Sequence, residues 1–429
     1  MLSNSLGIVR QRLPMLFMLV LMPLLFAGLT NAQTKTTQDP EPTSKAAPAA
    51  SKDSSTATEA NAKAAAQEEQ AQDVSQEGWP LFRGNRESTG VAKSALPAEL
   101  AVLWEYKVPD GGFEGTPVIV RNKTDGKQTV YIGDMDGEVL SIDLMSGQLN
   151  WKFDTGLGIS ASPAYHDGRI FIGDIDGMFW CLDEKGEVQW KYQTDGAISG
   201  SANFFGEGVL FGSEDSKLYL LNRKSGEKIW EVETPDQIQC SATVADGKGF
   251  VAGCDAYLHL IDLKEGKEVG KVEIHSPTRS TPAVANGLAV FGTEQADFFA
   301  VDLTDVELEW AFAGKNGASA VRGSPAISRG HVIFGARNRR VYSIDAETGA
   351  SDWSTLLKAK IDASPVIVGE RVFVGSTDGR LYTLNLKDGA KLWEKQFNGG
   401  FLGSPAVAFN RLVVATDRGV VYCLGEPQK

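Results

Sequence analysis

Short runs of alternating apolar and polar residues, rich in β-branched and aromatic side chains, fill the chain from residue 104 to residue 424. Residues 161–190 show one unit of the pattern. It reads Ala161-Ser-Pro-Ala-Tyr-His, a turn at Asp167-Gly168, Arg-Ile-Phe-Ile-Gly173, a turn at Asp176-Gly177, Met-Phe-Trp-Cys-Leu-Asp183, a turn at Lys185-Gly186, then Glu-Val-Gln-Trp190. Period-two runs of this composition predict strands. The residue-glycine pairs supply the positive φ that tight hairpins require. The unit is therefore expected to be a four-stranded antiparallel meander, with strands A to D in chain order. Helical periodicity is absent from these units.

The unit repeats about every forty residues. A tryptophan closes strand D at Trp104, Trp151, Trp190, Trp230, Trp310, Trp353 and Trp393, with Gly270 in place of the missing one. Strand A opens on a hydroxyl residue, at Thr116, Ser162, Ser201, Ser241, Thr281, Ser324, Ser364 and Ser404, each preceded by a small residue. Strand B is read as ending at Gly133, Gly173, Gly212, Gly253, Gly292, Gly335 and Gly375, with Ala415 in the last copy. A period of this size marks a solenoid, propeller or array in which no unit buries its apolar face alone. Four-stranded units arranged radially are propeller blades, and small residues suit innermost strands crowding one axis. The last copy stops after strand C, whereas the strand around Trp104 has no A to C before it. Pairing of these two ends makes eight blades and closes the ring, which leaves no open sheet edge. The expected fold is an all-β, eight-bladed propeller of four-stranded antiparallel blades, closed by its N- and C-terminal strands.

The ends of the chain read differently. Arg10 and Arg12, an apolar run to Leu29 and small residues near Ala32 describe a secretory signal peptide over residues 1–32. An uncleaved anchor is the other reading, but a run of roughly 17 residues with Pro14 and Pro23 is at the lower limit for a bilayer span. Residues 33–77 are Ala, Gln, Thr, Ser, Lys, Glu and Pro with no aromatic residue, the composition of a disordered linker. Residues 78–429 are expected to form the propeller. The net charge of −13 argues against nucleic acid or anionic lipid as main partner. The expected mature species is a monomer without an integral membrane span, in the periplasm or cell envelope of a bacterium.

The phrases Val341-Tyr-Ser-Ile-Asp345-Ala-Glu-Thr-Gly349 with Trp353, and Gly379-Arg-Leu-Tyr-Thr-Leu-Asn385-Leu-Lys-Asp-Gly389 with Trp393, resemble the pyrroloquinoline-quinone (PQQ) repeat. Seven such copies cover about 320 residues. The resemblance implies one of two protein types: quinone-dependent alcohol dehydrogenases, or non-catalytic propellers similar to BamB, an assembly factor of the outer-membrane β-barrel machinery. The segment Trp79-Pro-Leu-Phe-Arg83-Gly84-Asn85-Arg86 looks like the lead-in of secreted PQQ-like propellers, where it is expected to cap one end of the ring. In the dehydrogenase branch the quinone lies on a tryptophan floor under a disulfide of adjacent cysteines, beside a calcium ion. This chain has four cysteines, none adjacent, and lacks the long insertions of that branch. The non-catalytic branch is favoured, with no cofactor; PQQ and calcium belong to the alternative.

Other chemistry finds little support. His166, His259, His275 and His331 fall in different blades, which does not suit a zinc cluster or a histidine-based catalytic group. The Asp134 and Asp174 loops read as tight B–C turns rather than dedicated calcium loops, and no metal site is assigned. One position per blade faces the channel mouth by alignment: Glu114, Ser160, Ser199, Gln239, Arg279, Arg322, Asp362 and Leu402. This rim either holds a small polar ligand or peptide tip, or is a solvated opening with internal pairing. Arg337, Arg339 and Arg340 interrupt an otherwise acidic set of B–C turns, next to a longer connection at residues 313–319. That combination marks either a partner site or a tolerated insertion. Finally, aligning Gly253 with Gly173 places Cys240 across from Cys254, so a disulfide is expected there, although two packed thiols fit the same register. The function expected is an exported, non-enzymatic scaffold that binds a protein partner in the cell envelope.

Overall fold

The structure is a computed structural model that describes residues 78–109, 111–313 and 319–427. The expected signal peptide, the linker and the 314–318 part of the long connection lie outside these residues. Among the described residues the secondary structure is all strand, in eight sheets of four antiparallel strands. Blade 2 is typical: Ala164–His166, Arg169–Gly173, Met178–Asp183 and Val188–Gln193 follow one another as A to D. Blade 8 takes Ala406–Ala408, Arg411–Ala415 and Val420–Gly425 from the end of the chain and Ala101–Lys107 from its beginning. Glu105 pairs with Tyr422 and Tyr106 with Val421, so the ring closes as the repeat pattern predicts.

Blades are bonded to one another at two radii. At the inner radius the hydroxyl residues opening strand A form a complete belt. The backbone N–H of Thr116 donates to Ser162 Oγ, Ser162 to Ser201, Ser201 to Ser241 and Ser241 to Thr281. Thr281 continues to Ser324, Ser324 to Ser364, Ser364 to Ser404, and Ser404 back to Thr116 Oγ1, all at 2.8–3.1 Å. The small residues just before the belt allow this approach: a Cβ on Gly200 would sit 2.4 Å from the Cys240 carbonyl oxygen.

At the outer radius the tryptophans dock each blade on the next. The indole N–H groups of Trp104, Trp151, Trp190, Trp230, Trp310 and Trp353 donate to Leu144, Glu184, Arg223, Leu263, Ala346 and Leu386 carbonyls at 2.8–3.1 Å. Each of these rings also lies on a positive-φ glycine in the C–D turn of the following blade, as Trp310 does on Gly349, where a Cβ would come within 2.7 Å. The exception is consistent with the rule. Where Gly270 replaces the tryptophan, the glycine opposite is replaced by Val306, whose Cγ1 would be 3.0 Å from a Cβ at position 270. Val306 holds φ at +58°, a strained conformation for a β-branched residue. Between the two radii aromatic residues stack across blades, with Phe179 on Phe211 at 3.9 Å and Phe298 on Phe334 at 4.1 Å.

One register differs from the sequence reading. In blade 4, Val244 pairs with Gly249 and Ala245 with Lys248, while in blade 2 Tyr165 pairs with Ile170 and His166 with Arg169. Continued outward, these registers make Ala252, not Gly253, the counterpart of Gly173. Gly253 belongs to the B–C turn, and the position across from Cys240 is Gly253 rather than Cys254. The expected disulfide is therefore corrected: both cysteines are free, and the Cys240 thiol donates to the Ala252 carbonyl at 3.1 Å. Burial pushes that thiol up to about 12, which keeps it protonated and unreactive. Titration of the denatured, unreduced protein is expected to find four reactive thiols; a count of two would restore the disulfide.

Candidate functional site: the central channel

The channel is sealed at one end by the chain itself. Residues 79–94 run under the ring and touch every blade in order. Trp79 exchanges both backbone bonds with Ile119 of blade 1, and the Pro80 carbonyl accepts from Tyr165 of blade 2. The Arg86 carbonyl accepts from the Asn203 side chain of blade 3 and from Val244 of blade 4. Glu87, Thr89 and Gly90 carbonyls then accept from Val284, Ile327 and Ile367 of blades 5 to 7, and Ser94 Oγ accepts from Asn410 of blade 8. The conformation is built into the sequence. Trp79 packs where a Cβ on Gly84 would be 2.8 Å from its ring, and Arg83 occupies the space a side chain at Gly90 would need. The expected cap is present, and its reach over all eight blades had no signal in the sequence.

Above this floor a cavity of about 160 Å³ opens to the far face. Phe82 forms part of its base, and the eight belt hydroxyls line its wall. All of Glu114, Ser160, Ser199, Gln239, Arg279, Arg322, Asp362 and Leu402 line it, so the structure brings the predicted rim residues together. Some are paired internally. Arg322 Nε bonds Glu294 Oε1 at 2.9 Å, Ser199 Oγ donates to Glu214 at 2.7 Å, and Asp362 lies 3.4 Å from Arg337 Nε. Glu114 in blade 1 and Arg279 in blade 5 are exposed, on opposite sides of the mouth, and neither has an ion-pair partner among the described residues.

The three arginines of the basic cluster have different surroundings. Arg337 turns toward the rim and Asp362, Arg339 sits at the exposed turn with φ +70°, and Arg340 donates outward to Ser354 Oγ at 3.0 Å. The B–C turns do lie on the mouth face, because their backbone N–H groups bond carbonyls just ahead of the rim positions, as Met135 does with Gly112 and Thr377 with Lys360. The Asp134 and Asp174 carboxylates serve their own turns: each Oδ1 accepts two backbone N–H groups at 2.8–3.0 Å. Burial raises the Asp134 pKa above the usual carboxylate range. Trp180, which with Trp79 is off the repeat position, stands on strand C and donates to Asp174 Oδ2 at 2.9 Å, away from the channel lining.

Sequence reasoning missed Arg83. It is fully buried beneath the cavity floor, donates from one terminal nitrogen to Pro325 and Pro365 carbonyls at 2.9 and 2.5 Å, and leaves Nε and Nη1 without partners. It has no ion pair among the described residues, and burial pulls its pKa down to about 9. An arginine in a motif beside a tryptophan was the only available signal.

Known proteins place this architecture. A family profile described as outer membrane protein assembly factor BamB matches residues 95–242, 214–360 and 337–426. An outer membrane protein assembly factor BamB from Nitrosomonas eutropha is 26% identical over 132 residues, 31% of each chain. The dehydrogenase subunit of a quinone alcohol dehydrogenase from Gluconobacter oxydans is 27% identical over 128 residues, 27% of this chain and 15% of that protein. The chain thus spans well under two thirds of these curated relatives. Among solved structures, BamB from Moraxella catarrhalis superposes with a TM-score of 0.65 at 18% identity, over 76% of this chain and 100% of that one. Quinohemoprotein alcohol dehydrogenase from Comamonas testosteroni gives 0.71 at 15% identity, over 86% and 84%. At such identities the structures speak for the fold alone. The profile, however, runs through all eight blades from residue 95 to residue 426, and the chain belongs to the PQQ-repeat β-propeller family described as outer membrane protein assembly factor BamB.

Proposed function

We propose that this chain is a non-enzymatic scaffold of the bacterial cell envelope, binding a protein partner through the mouth face of the ring and serving outer-membrane protein assembly, as the name of its relatives describes. The observation that carries this reading is the asymmetry of the ring. One end is sealed by residues 79–94, so recognition is confined to the other, where the blades present acidic, basic, hydroxyl, amide and apolar rim side chains on a rigid scaffold. The mostly short B–C and D–A loops leave that face broad and low, a shape suited to a protein surface.

The alternative is a PQQ- and calcium-dependent alcohol dehydrogenase, which the dehydrogenase matches keep in view. The lining does not fit the quinone clamp implied by that branch: Phe82 rather than a tryptophan stands at the floor, and Cys240 has no neighbouring cysteine in sequence. Two measurements decide between them. Photo-crosslinking residues placed at Ile175 and Arg339 on the mouth face are expected to trap an outer-membrane assembly component, while one at Lys224, in a C–D turn on the sealed side, is not. Bound quinone absorbance with dye reduction by simple alcohols, after adding PQQ and calcium, would overturn the scaffold reading.

A further inference from the structure

We propose that the channel is a binding site for a small oxyanion, of the sulfate or carboxylate class, held on the wall formed by blades 5 to 7. Three independent features of that wall point the same way. The first is Arg83 at the base. Its guanidinium reaches the carbonyls of Pro325 and Pro365, each immediately following a belt serine, so the buried cation lies under the wall at Ser324 and Ser364. Two of its nitrogens have no hydrogen-bond partner. A fully buried cation without a carboxylate or sufficient acceptors is costly, and an anion in the adjoining cavity offsets that cost.

The second feature is the belt. Each hydroxyl accepts one backbone N–H from its neighbour, and none has an acceptor for its own proton among the described residues. The hydroxyls of Thr281, Ser324 and Ser364 are thus left as donors on the wall of the cavity. The third is the mouth. Arg279 and Arg322 stand over the same wall, and Arg279 has no carboxylate partner among the described residues. The opposing charges are across the ring or beside an arginine. Glu114 is across the ring in blade 1, Glu294 is bonded to Arg322, and Asp362, on the same wall, lies 3.4 Å from Arg337 Nε with its Oδ1 buried and without a hydrogen bond. A cavity of about 160 Å³ admits such an ion together with water, whose share of liquid volume is about 30 Å³.

The charged groups would draw an anion in from the mouth, and the belt would replace part of its hydration shell with hydroxyl donors. Charge-assisted hydrogen bonds to arginine then discriminate oxyanions from chloride. Neither the scaffold reading nor the dehydrogenase alternative is needed for this site.

The test is thermal denaturation of the mature protein titrated with sodium sulfate, sodium acetate or sodium chloride at constant ionic strength. Sulfate or acetate is expected to raise Tm along a saturating curve, with chloride inactive; which of the two saturates first separates a tetrahedral ion from a carboxylate. In the Arg279→Gln/Arg322→Gln double variant, altered only at exposed rim positions, half-saturation is expected to shift at least about tenfold upward, the equivalent of one lost charged hydrogen bond. Arg339→Gln, on the same face but off the channel, is expected to leave the curve unchanged. Arg83→Met is expected to abolish saturation, and if it fails to fold the rim variants still decide. Selenate soaked into crystals of the protein is expected to give an anomalous peak between Arg83 and Arg322. A non-saturating rise that is equal in all variants, the effect of salts excluded from protein surfaces, or a peak only on the outer surface, would overturn the proposal.

Discussion

A chain beginning at Pro97, with the closing strand Ala101–Lys107 intact but the sealing segment removed, is expected to lose about 5 kcal/mol or more of unfolding free energy. Trp79 alone is buried to 1% exposure, and losing a buried aromatic of this size typically costs about 3–5 kcal/mol. Leu81 and Leu96 leave with it, as do the backbone bonds to Ile119, Tyr165, Val244, Val284, Ile327 and Ile367. Six strand A backbones would then exchange these intramolecular hydrogen bonds for water in a channel open at both ends, a net loss of about 0.5–1.5 kcal/mol for each bond. Denaturant unfolding of the truncated and mature chains measures the difference. A loss below about 1 kcal/mol would mean that the segment lies on the ring without supporting it, a size ordinary for a surface change.

Trp310→Ala is expected to cost about 3–5 kcal/mol, because it removes both the ring on Gly349 and the indole bond to the Ala346 carbonyl. The chain already contains the inverse of this experiment. At Gly270 the tryptophan is absent, and Val306 fills the space that glycine leaves open in the other blades. Gly270→Trp alone is therefore expected to destabilise by about 1–3 kcal/mol through overpacking against Val306. Val306→Gly alone relieves the positive φ but leaves space behind. The double change restores the pairing found elsewhere, so it is expected to be more stable than the sum of the two by at least about 1 kcal/mol. Additive effects would show that the two sites do not share one packing unit, and the docking rule inferred from the other blades would fail.

Much of this architecture could be read before any coordinates, for a local reason. Hairpin turns such as Asp167-Gly168, period-two runs and the recurring tryptophan act within one unit, and their repetition exposes the rule. The pairing of the two chain ends followed from the same logic, because a leading strand D and a trailing strand C complement each other. The blade 4 register slipped by one because Ala252 and Gly253 are both small, so composition could not choose between them, whereas the Asp246-Gly247 turn does. The rim residues were legible for the same reason as the tryptophans: one column of the repeat becomes one ring in space.

The amino-acid order by itself settled the number of blades, their four-stranded form and the ring on which side chains would converge. Tertiary structure alone decided which rim charges neutralise each other and how the lead-in segment reaches all eight blades. Arg322 with Glu294 joins different blades, and Arg83 meets Pro325 and Pro365 across 242 and 282 residues of chain. Such contacts carry no local periodicity. They exist only once the ring has closed and its axis gathers residues from every blade around one narrow space.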